Sequence, residues 1–554
     1  MDFDLNLAIE EITAICKASD GRSRIFEYGS SGYKDGVRHF LESSSDVALV
    51  AVCPGTTNDV SKIMKVLANH KVPFGVKGGG HTTNPKFSST TGIQLYMSFF
   101  DKVEYDSSKK TLAVGSGCLW DQVYREILAK GRYVIGGSAT EGVGVAGWLL
   151  GGGYSLYSNE YGLGIDNIVE FEVVIPNGDI IRTGSSGPHS DLFRALKGGG
   201  NNFGIVTEFV IKTYEIEAPN CELMDFSNSK SEEVKAAITD FINDEETQKA
   251  VLIAAFRHYN ETVNDQSWIT VFCVKNLPQS AKDPFQKFYH IERKPERGQN
   301  RRNMRRVPGL RIKVVAEEEH AGGSMALMAD TSSERAFKGR AFLEADRAFA
   351  SIHGPPPEVD EEEEHVGNLV AGTAALMIAR KAVRQEVPPK GMSGVGEIAR
   401  GRFGCIMISK YKRALIDAIE EQSKASAKDM KKHGGKRVIF DVWPAHSKIF
   451  DNSTDCAYPH KKGSPFGPML VYFVWEGATN DQYWTDEMER ALDKLRQIAL
   501  SVGCTDEKLP LYSNTSLSTT QVSKIYQENY EGLKQIRLKY DPQDVMKRAG
   551  GFKI

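Results

Sequence analysis

The stretch "VKGGGHTTN", residues 76–84, places three consecutive glycines directly before His81, and it decides the fold we expect. Glycine loses more conformational freedom on folding than other residues, so a run of glycines marks a positive φ or a close backbone approach. A flexible surface turn is the alternative for one such run. Two more Gly-Gly-Gly triplets follow at 151–153 and 198–200. Three triplets beside predicted strand or helix ends predict loops that converge on one extended ligand.

A pyrophosphate is a suitable ligand for such loops, because their exposed backbone N–H groups bind anions. The competing fold is a Rossmann dinucleotide-binding fold, since Gly142, Gly144 and Gly147 have the G-x-G-x-x-G spacing. That fold needs the motif inside a parallel βαβ unit, with an acidic residue about 20 positions further on. The flanking sequence has no such frame, which disfavours a nicotinamide dehydrogenase.

Apolar patterning predicts mixed helices and strands around the triplets. Residues 47–76 have the pattern of strand, helix and strand, and residues 169–184 that of a hairpin turned at Pro176-Asn177-Gly178. The section 44–217 therefore has an α+β pattern, a second α+β region follows, and a last helix is predicted over 521–542.

Composition excludes several classes of protein. The chain has 554 residues, 41% of them hydrophobic and 25% charged, with a net charge of −3. This is ordinary globular composition, sufficient for two to four domains, and it does not favour binding to nucleic acid or an anionic membrane. The eight cysteines form no CxxC pair, which argues against a metal site and a disulfide framework. No apolar run reaches the roughly 20 residues of a membrane span, and the N-terminus lacks a signal segment, so the sequence predicts a cytosolic protein.

Four ordered motifs carry a resemblance to a known family. They are "VKGGGHTTN", "GVGVAGWLLGGGYSLYSNEYGLGIDNIVEFEVVIPNG", "ALKGGGNNFGIVTEF" and the C-terminal "NYEGLKQIRLKYDPQDVMKRAGGFKI". With them the chain resembles the berberine bridge enzyme-like branch of FAD-linked oxidases, in the vanillyl-alcohol oxidase/p-cresol methylhydroxylase (PCMH) superfamily, and the motifs are fungal in character. The resemblance covers about 44–290 and 403–554.

The resemblance implies an α+β fold with three parts. They are a PCMH-type FAD-binding domain of two subdomains over 44–217, a substrate domain with an antiparallel sheet over 218–525, and a C-terminal segment, 526–554, that returns to the flavin domain. It also implies that His81 bonds covalently to the 8α carbon of FAD, since a neutral imidazole nitrogen can add to an electrophilic 8-methylene group. The other residues expected at the cofactor are Lys77, Gly78, Gly79, Gly80, Thr82, Thr83, Asn84, Gly142, Val143, Gly144, Gly147, Gly151, Gly152, Gly153, Tyr154, Gly204, Ile205 and Val206.

Many relatives carry a second link through a cysteine just before the second glycine block. Here Ser138, Ala139 and Thr140 cover the candidate positions, so one covalent bond is predicted. Cys118 belongs to a different motif and is expected to be a small buried apolar residue.

The resemblance implies hydride transfer from a substrate C–H bond to the flavin, assisted by a base. Relatives often place that base at the second Tyr of a Y-x-N-Y stretch. The matching stretch here is "LYSNTS", with Thr515 at that position, and threonine cannot act as a phenolate. Tyr512 is the substitute we consider, and an ordinary buried tyrosine is the alternative. Tyr458 and His460 are expected to belong to a structural turn.

Residues 292–402 differ from the rest of the chain. They contain a basic cluster, a proline triplet and an acidic run, and neither Trp nor Tyr. Such a stretch cannot pair as strands without burying unmatched charge, so we interpret it as a long disordered insertion or the product of a gene-assembly error, such as a retained intron. The flanking segments "WITVFCVKN" and "FGCIMISKY" are expected to pair in one sheet.

The predicted function is that of an FAD-dependent oxidoreductase. It would act on a small organic substrate (an alcohol, a sugar or a secondary metabolite), with O2 as the electron acceptor. A catalytically silent flavin-binding protein, or a misassembled gene product, is the alternative.

Overall fold

The structure is a computed structural model, and it describes residues 5–137, 142–215, 220–244, 248–260, 265–277, 281–293 and 399–554. Three main β-sheets with helices packed against them account for most of these residues.

The first sheet leads the chain into the first glycine triplet. Its strands, in the order β1-β2-β4-β3, are β1 (Arg24–Glu27), β2 (Val50–Cys53), β3 (Phe74–Lys77) and β4 (Ile93–Tyr96). The last three are parallel and β1 is antiparallel to β2. The helices beside it are α1 (Leu5–Ala18), α2 (Ser31–Val37) and α3 (Thr57–Asn69). Because β1 pairs with β2, this sheet begins before residue 44, earlier than the predicted flavin domain.

The second sheet carries the predicted hairpin. Its strands, in the order β5-β6-β10-β8-β9, are β5 (Val103–Asp106), β6 (Thr111–Gly115), β8 (Ile168–Val174), β9 (Ile180–Gly184) and β10 (Ile205–Lys212), and short strands β7 (Arg132–Tyr133) and β11 (Tyr214–Glu215) pair separately. The hairpin turn uses Gly178 at φ 90°. The accompanying helices are α4 (Trp120–Leu128), α5 (Val145–Leu150), α6 (Ser158–Tyr161) and α7 (Ser190–Leu196).

The third sheet has six antiparallel strands and lies between two layers. In the order β12-β14-β13-β16-β17-β15 they are β12 (Asn220–Ser227), β13 (Ala250–Asn260), β14 (Asp265–Lys275), β15 (Arg400–Ile408), β16 (Gly435–Val442) and β17 (Gly467–Trp475). Alternate residues point to opposite faces. Leu252 and Ala254 pack towards α8 (Ser231–Asn243), α9 (Arg413–Ala427) and α10 (Asp481–Ser501), whereas Ile253 and Ala255 share a core with the glycine-rich part.

The two segments that flank the atypical stretch lie in this one sheet, as β14 and β15, but they are not neighbours. β13, β16 and β17 lie between them in the sheet. β13 pairs with both β14 and β16, and β16 pairs with β17, so β14 and β15 have no edge in common. The ends of the atypical stretch are also structured: Arg400 begins β15, and Arg293 forms an ion pair with Glu222 at 2.6 Å. Residues 294–398 lie outside the described residues, so their interpretation stays a prediction.

The C-terminal helix predicted over 521–542 is two helices, α11 (Ser523–Tyr526) and α12 (Tyr530–Tyr540). The break comes at Gln527, which has a positive φ of 43° that a continuous helix excludes. The chain then passes close to the glycine-rich part. The Asn202 amide donates to the Phe552 carbonyl at 3.0 Å, and the Phe552 ring lies 4.7 Å from that of Phe87.

Candidate flavin site

The first two glycine-rich loops touch through their backbones. A Cβ atom on Gly79 would lie 2.5 Å from the Gly144 nitrogen, and one on Gly144 would overlap Gly79 in return. Gly80, next to this contact, has a positive φ of 72°. Any larger residue at Gly79 or Gly144 would push the loops apart, which explains why glycine occupies both.

The second and third triplets are joined in the same way. The Gly200 amide donates to the Leu150 carbonyl at 2.9 Å, directly before Gly151. Gly152 and Gly153 have positive φ values of 121° and 81°. Since α5 connects Gly144 to this point, backbone contacts and this helix link the three glycine-rich blocks one to the next.

The space beside the linked glycine blocks, together with a buried hydroxyl, fits a large polar ligand. Among the residues that the structure describes, a Cβ on Gly142 or Gly147 would meet nothing within 4 Å. The Ser116 carbonyl lies 3.0 Å from the Cβ position of Gly78, and the Ser116 hydroxyl is buried with no hydrogen-bond partner among the described residues. A ligand with acceptor oxygens, such as a dinucleotide pyrophosphate, would satisfy that hydroxyl.

Lys77 supports the first triplet from beneath. Its side chain is buried, its ammonium donates to the Asp35 carbonyl at 2.5 Å, and it lies 4.1 Å from the centre of the Tyr96 ring. Burial lowers the pKa of Lys77 to about 8. With its ammonium bonded to Asp35, Lys77 fixes the backbone entering the loop.

His81 lies near aromatic rings from two distant parts of the chain. Its imidazole stacks on Phe40 at 4.2 Å with an interplanar angle of 16°, and the Phe403 ring lies 6.5 Å away on β15. The Phe40 amide also donates to the Gly80 carbonyl at 2.9 Å. These neighbours limit the orientations that the imidazole can adopt.

The residues after His81 are bonded to the protein. The Thr83 hydroxyl accepts from the backbone N–H of Phe403 at 3.0 Å, and the side-chain amide of Asn84 donates to the Ser516 carbonyl at 2.8 Å. The Thr82 hydroxyl accepts from the backbone N–H of Asn84 at 3.3 Å. Contacts of Thr82–Asn84 to a cofactor would therefore come chiefly from backbone groups.

Four other predicted cofactor residues are built into the sheets or the loop framework. Gly204 has a φ of 151°, and a Cβ there would overlap the Val174 carbonyl. Ile205 and Val206 are buried in β10, and the Val143 carbonyl accepts from the Trp120 amide at 3.0 Å. These residues shape the framework around the site.

Tyr512 lies against the second triplet in a cluster of buried tyrosines. Its oxygen accepts from the Asn514 amide at 3.0 Å and from the backbone N–H of Tyr154 at 3.4 Å, and its ring meets that of Tyr154 edge-on at 4.9 Å. Burial raises the pKa of Tyr512 to about 12, although these two donors oppose the shift. The nearby Thr515 hydroxyl is buried without a hydrogen-bond partner in the described part of the chain. Because its pKa is raised, the Tyr512 phenol is protonated at neutral pH.

His460 lies in an irregular loop, where it forms a buried pair with Asp166 at 2.8 Å. Burial alone would lower the pKa of His460, but the hydrogen bond and charge of Asp166 outweigh it and raise this pKa to about 10. Cys118 is fully buried, as expected, and burial raises its pKa to about 12. Ser138, Ala139 and Thr140 lie outside the described residues, so the absence of a second flavin link stays a prediction.

Sequence reasoning missed three neighbours of the site. Ser116 follows strand β6 in a Gly-Ser-Gly segment, a signal that could have marked it. Phe40 and Phe403 are 41 and 322 residues from His81, and nothing local to either one indicates that they meet it.

Residues 48–184 match the FAD binding domain family, which covers the first two glycine-rich loops. In whole-chain sequence comparison, the chain is 30% identical over 289 residues to an FAD-linked oxidoreductase of Arthroderma benhamiae, a match covering 51% of this chain and 54% of that one. It is 42% identical over 158 residues to an FAD-dependent monooxygenase of Fusarium proliferatum, covering 28% of this chain and 30% of that one. The chain thus aligns with about half, or less, of the length of these relatives.

Solved structures show the same fold. 6-Hydroxy-D-nicotine oxidase of Arthrobacter nicotinovorans matches with a TM-score of 0.62 at 18% identity, covering 96% of this chain and 97% of that one. Berberine bridge enzyme of Eschscholzia californica matches with a TM-score of 0.62 at 14% identity, covering 98% and 99%. The chain therefore has the same fold as these two enzymes, with an α+β architecture as predicted. It contains an FAD binding domain, its cofactor is FAD, and it is related to fungal FAD-linked oxidoreductases.

Proposed function

We propose that this chain is an FAD-dependent oxidoreductase that carries its flavin covalently on His81. It takes a hydride from a C–H bond of a small organic substrate, an alcohol, a sugar or a secondary metabolite, and passes the electrons to O2. The observation that supports this most is that the three glycine-rich blocks are linked beside a histidine that stacks on Phe40 and has the Phe403 ring 6.5 Å away.

The chain's own residues would bind the cofactor mainly through backbone. Gly78–Gly80 and Gly142–Gly144 would approach the pyrophosphate closely, and the Ser116 hydroxyl would donate to it. When bound, FAD supplies the two-electron acceptor for the reaction. His81 would prevent its loss, and Lys77 would keep the loop in the conformation that presents His81.

The substrate would lie over the face of the third sheet that meets the glycine-rich part. On that face the Phe403 and Tyr472 rings stack at 4.3 Å, and Phe403 is also the ring next to His81. Tyr472 is buried, so the half-buried Phe403 ring would supply the aromatic surface, which favours substrates with an apolar or ring-shaped surface. Tyr512 stays the proposed base, and it would need an environment that lowers its pKa during the reaction.

The alternative is a flavin-binding protein without catalytic activity. It is favoured by Thr515, which stands where relatives have a tyrosine, and by the enclosed, protonated Tyr512. Among the described residues, no helix combines the length and apolar composition of a membrane span. The cytosolic location predicted from the sequence stays a prediction.

The test is a purified preparation examined for colour and for peroxide. We expect a flavin spectrum that remains with the protein after acid precipitation, and hydrogen peroxide formed only when a substrate is added from a panel of alcohols, sugars and phenolic metabolites. A yellow protein without substrate-dependent peroxide would support the silent alternative. A colourless protein would contradict the proposal.

A further inference from the structure

The loop that carries His81 is clamped by two segments that lie far away in the sequence. On one side, Arg402 in β15 donates to the Thr83 carbonyl at 2.7 Å, and the Phe403 amide donates to the Thr83 hydroxyl at 3.0 Å. On the other side, Asn84 bonds to the Ser516 carbonyl at 2.8 Å and accepts from the Ser518 amide at 3.2 Å. None of these partners belongs to the first 217 residues.

Arg402 is an unusual member of its sheet, because its guanidinium is buried among oxygen atoms that carry no full charge. Besides the Thr83 carbonyl, one of its nitrogens donates to the Ser43 hydroxyl at 2.8 Å and to the Gly401 carbonyl at 2.8 Å. The guanidinium also lies 5.9 Å from the centre of the Trp475 ring. Burying a charge is costly unless its hydrogen bonds are satisfied, so these acceptors, Thr83 included, are what keep Arg402 in place.

We propose that Arg402 is a positioning residue for flavin attachment: by fixing the Thr83 carbonyl from the substrate sheet, it orients His81 for the covalent step. Attachment can then occur only after β15 has docked on the glycine-rich part. This inference rests on the proposed function, specifically on His81 as the attachment site.

The covalent step needs a well-oriented nucleophile. It replaces one C–H bond of the flavin 8-methyl group and the imidazole N–H bond by one C–N bond. The two protons and two electrons released go to dioxygen, which becomes hydrogen peroxide. Small misplacements of a reacting group reduce such rates strongly. A loop released at Thr83 would let His81 turn away, while the glycine backbone that contacts the pyrophosphate would stay in place.

The test measures attachment separately from binding. Full-length wild type, Arg402→Gln, Arg402→Lys and Thr83→Val would be incubated with excess FAD in air. Total bound flavin would be measured after gel filtration, and covalent flavin as the acid-stable fraction over time. Arg257→Gln is the matched control, because Arg257 is a buried arginine of the same sheet that bonds to Tyr259 and to Thr270 at 3.0 Å.

We expect Arg402→Gln to bind FAD but attach it at least about tenfold more slowly, the effect of losing hydrogen bonds from a charged group. Thr83→Val keeps the carbonyl that Arg402 contacts and loses only the hydroxyl that accepts from the Phe403 amide, so its attachment should slow less. Arg402→Lys should recover part of the rate, and Arg257→Gln should attach FAD like wild type. Attachment at the wild-type rate in Arg402→Gln would overturn the inference while leaving the proposed function intact. Equal slowing in Arg257→Gln, or loss of bound FAD in Arg402→Gln and Thr83→Val alike, would also overturn it. If wild type itself shows no acid-stable flavin, the proposed attachment site fails instead.

Discussion

At the residue scale, glycines that are alike in the sequence have different physical roles. Gly79 and Gly144 are required by the protein itself, because their backbones touch. Gly147 lies within helix α5, and a Cβ there would meet no atom within 4 Å in the described part of the chain. A glycine inside a helix costs stability relative to alanine, so a retained glycine without a protein neighbour suggests that a ligand occupies the space.

Alanine at these positions should therefore separate folding from binding. Gly147→Ala should leave the thermal midpoint of the apo-protein unchanged or raise it, since alanine favours the helix by about 1 kcal/mol, and should weaken FAD binding. Gly79→Ala should lower stability by about 1–3 kcal/mol through overpacking against Gly144. Calorimetry and FAD titration would measure the two effects, with His81→Ala as the common background. Unchanged FAD affinity in Gly147→Ala would contradict our placement of the cofactor.

At the element scale, periodicity predicted local structure well and long-range pairing poorly. Helix α3 forms because its apolar residues recur on one face and Thr56 caps it, accepting from the Asp59 amide. The break at Gln527 and the insertion of three strands between β14 and β15 depend on distant packing that no local pattern records. The same is true of the buried pair between Asp166 and His460, which are 294 residues apart.

The Asp166–His460 pair gives stability a defined pH dependence. The pKa of His460 is raised from 6.5 to about 10 in the folded protein, so its contribution is complete below pH 6.5 and is lost as pH rises towards 10. Burial would raise the pKa of Asp166, but hydrogen bonds from His460 and Thr454 lower it below 3.8, so its contribution is lost as pH falls below that value. We expect the stability difference between wild type and His460→Asn to be about 3–5 kcal/mol near pH 6 and to shrink steadily towards pH 10.

Urea unfolding from pH 5 to 10 measures this difference. Asp166→Asn with His460→Asn is the control, because the double variant leaves no unpaired buried charge and should recover part of the loss. A difference that does not change with pH would show that the pair is not charged in the folded protein.

At the scale of the whole molecule, the sequence indicated the site but not how it is assembled. The glycine triplets and His81 were predicted from their spacing and from the family resemblance. Phe40, Phe403 and Arg402 were not, because the two rings come near His81, and Arg402 reaches Thr83, only when the N-terminal segment and the third sheet pack on the glycine loops. The site is therefore a product of the complete fold.

The third sheet should hold the chain together even when it is cut. β13 pairs with β14 over 11 residue pairs and with β16 over six, so the strands before residue 294 and those after residue 398 are joined into one sheet by the β13–β16 pair. We expect a protease that cuts between 294 and 398 to yield two fragments that co-elute in gel filtration and separate only in denaturant. Fragments that separate under native conditions would show that the sheet does not bridge this stretch.

Covalent flavin on His81 is the central claim, and peptide mapping tests it most directly. Trypsin should release residues 78–86, GGGHTTNPK, a peptide whose only histidine is His81. After acid denaturation of the wild-type protein and digestion, we predict that this peptide absorbs near 450 nm, as a flavin does, and that fragmentation places the added mass on His81. Recovery of the unmodified peptide, with all the flavin in the acid supernatant, would contradict the account.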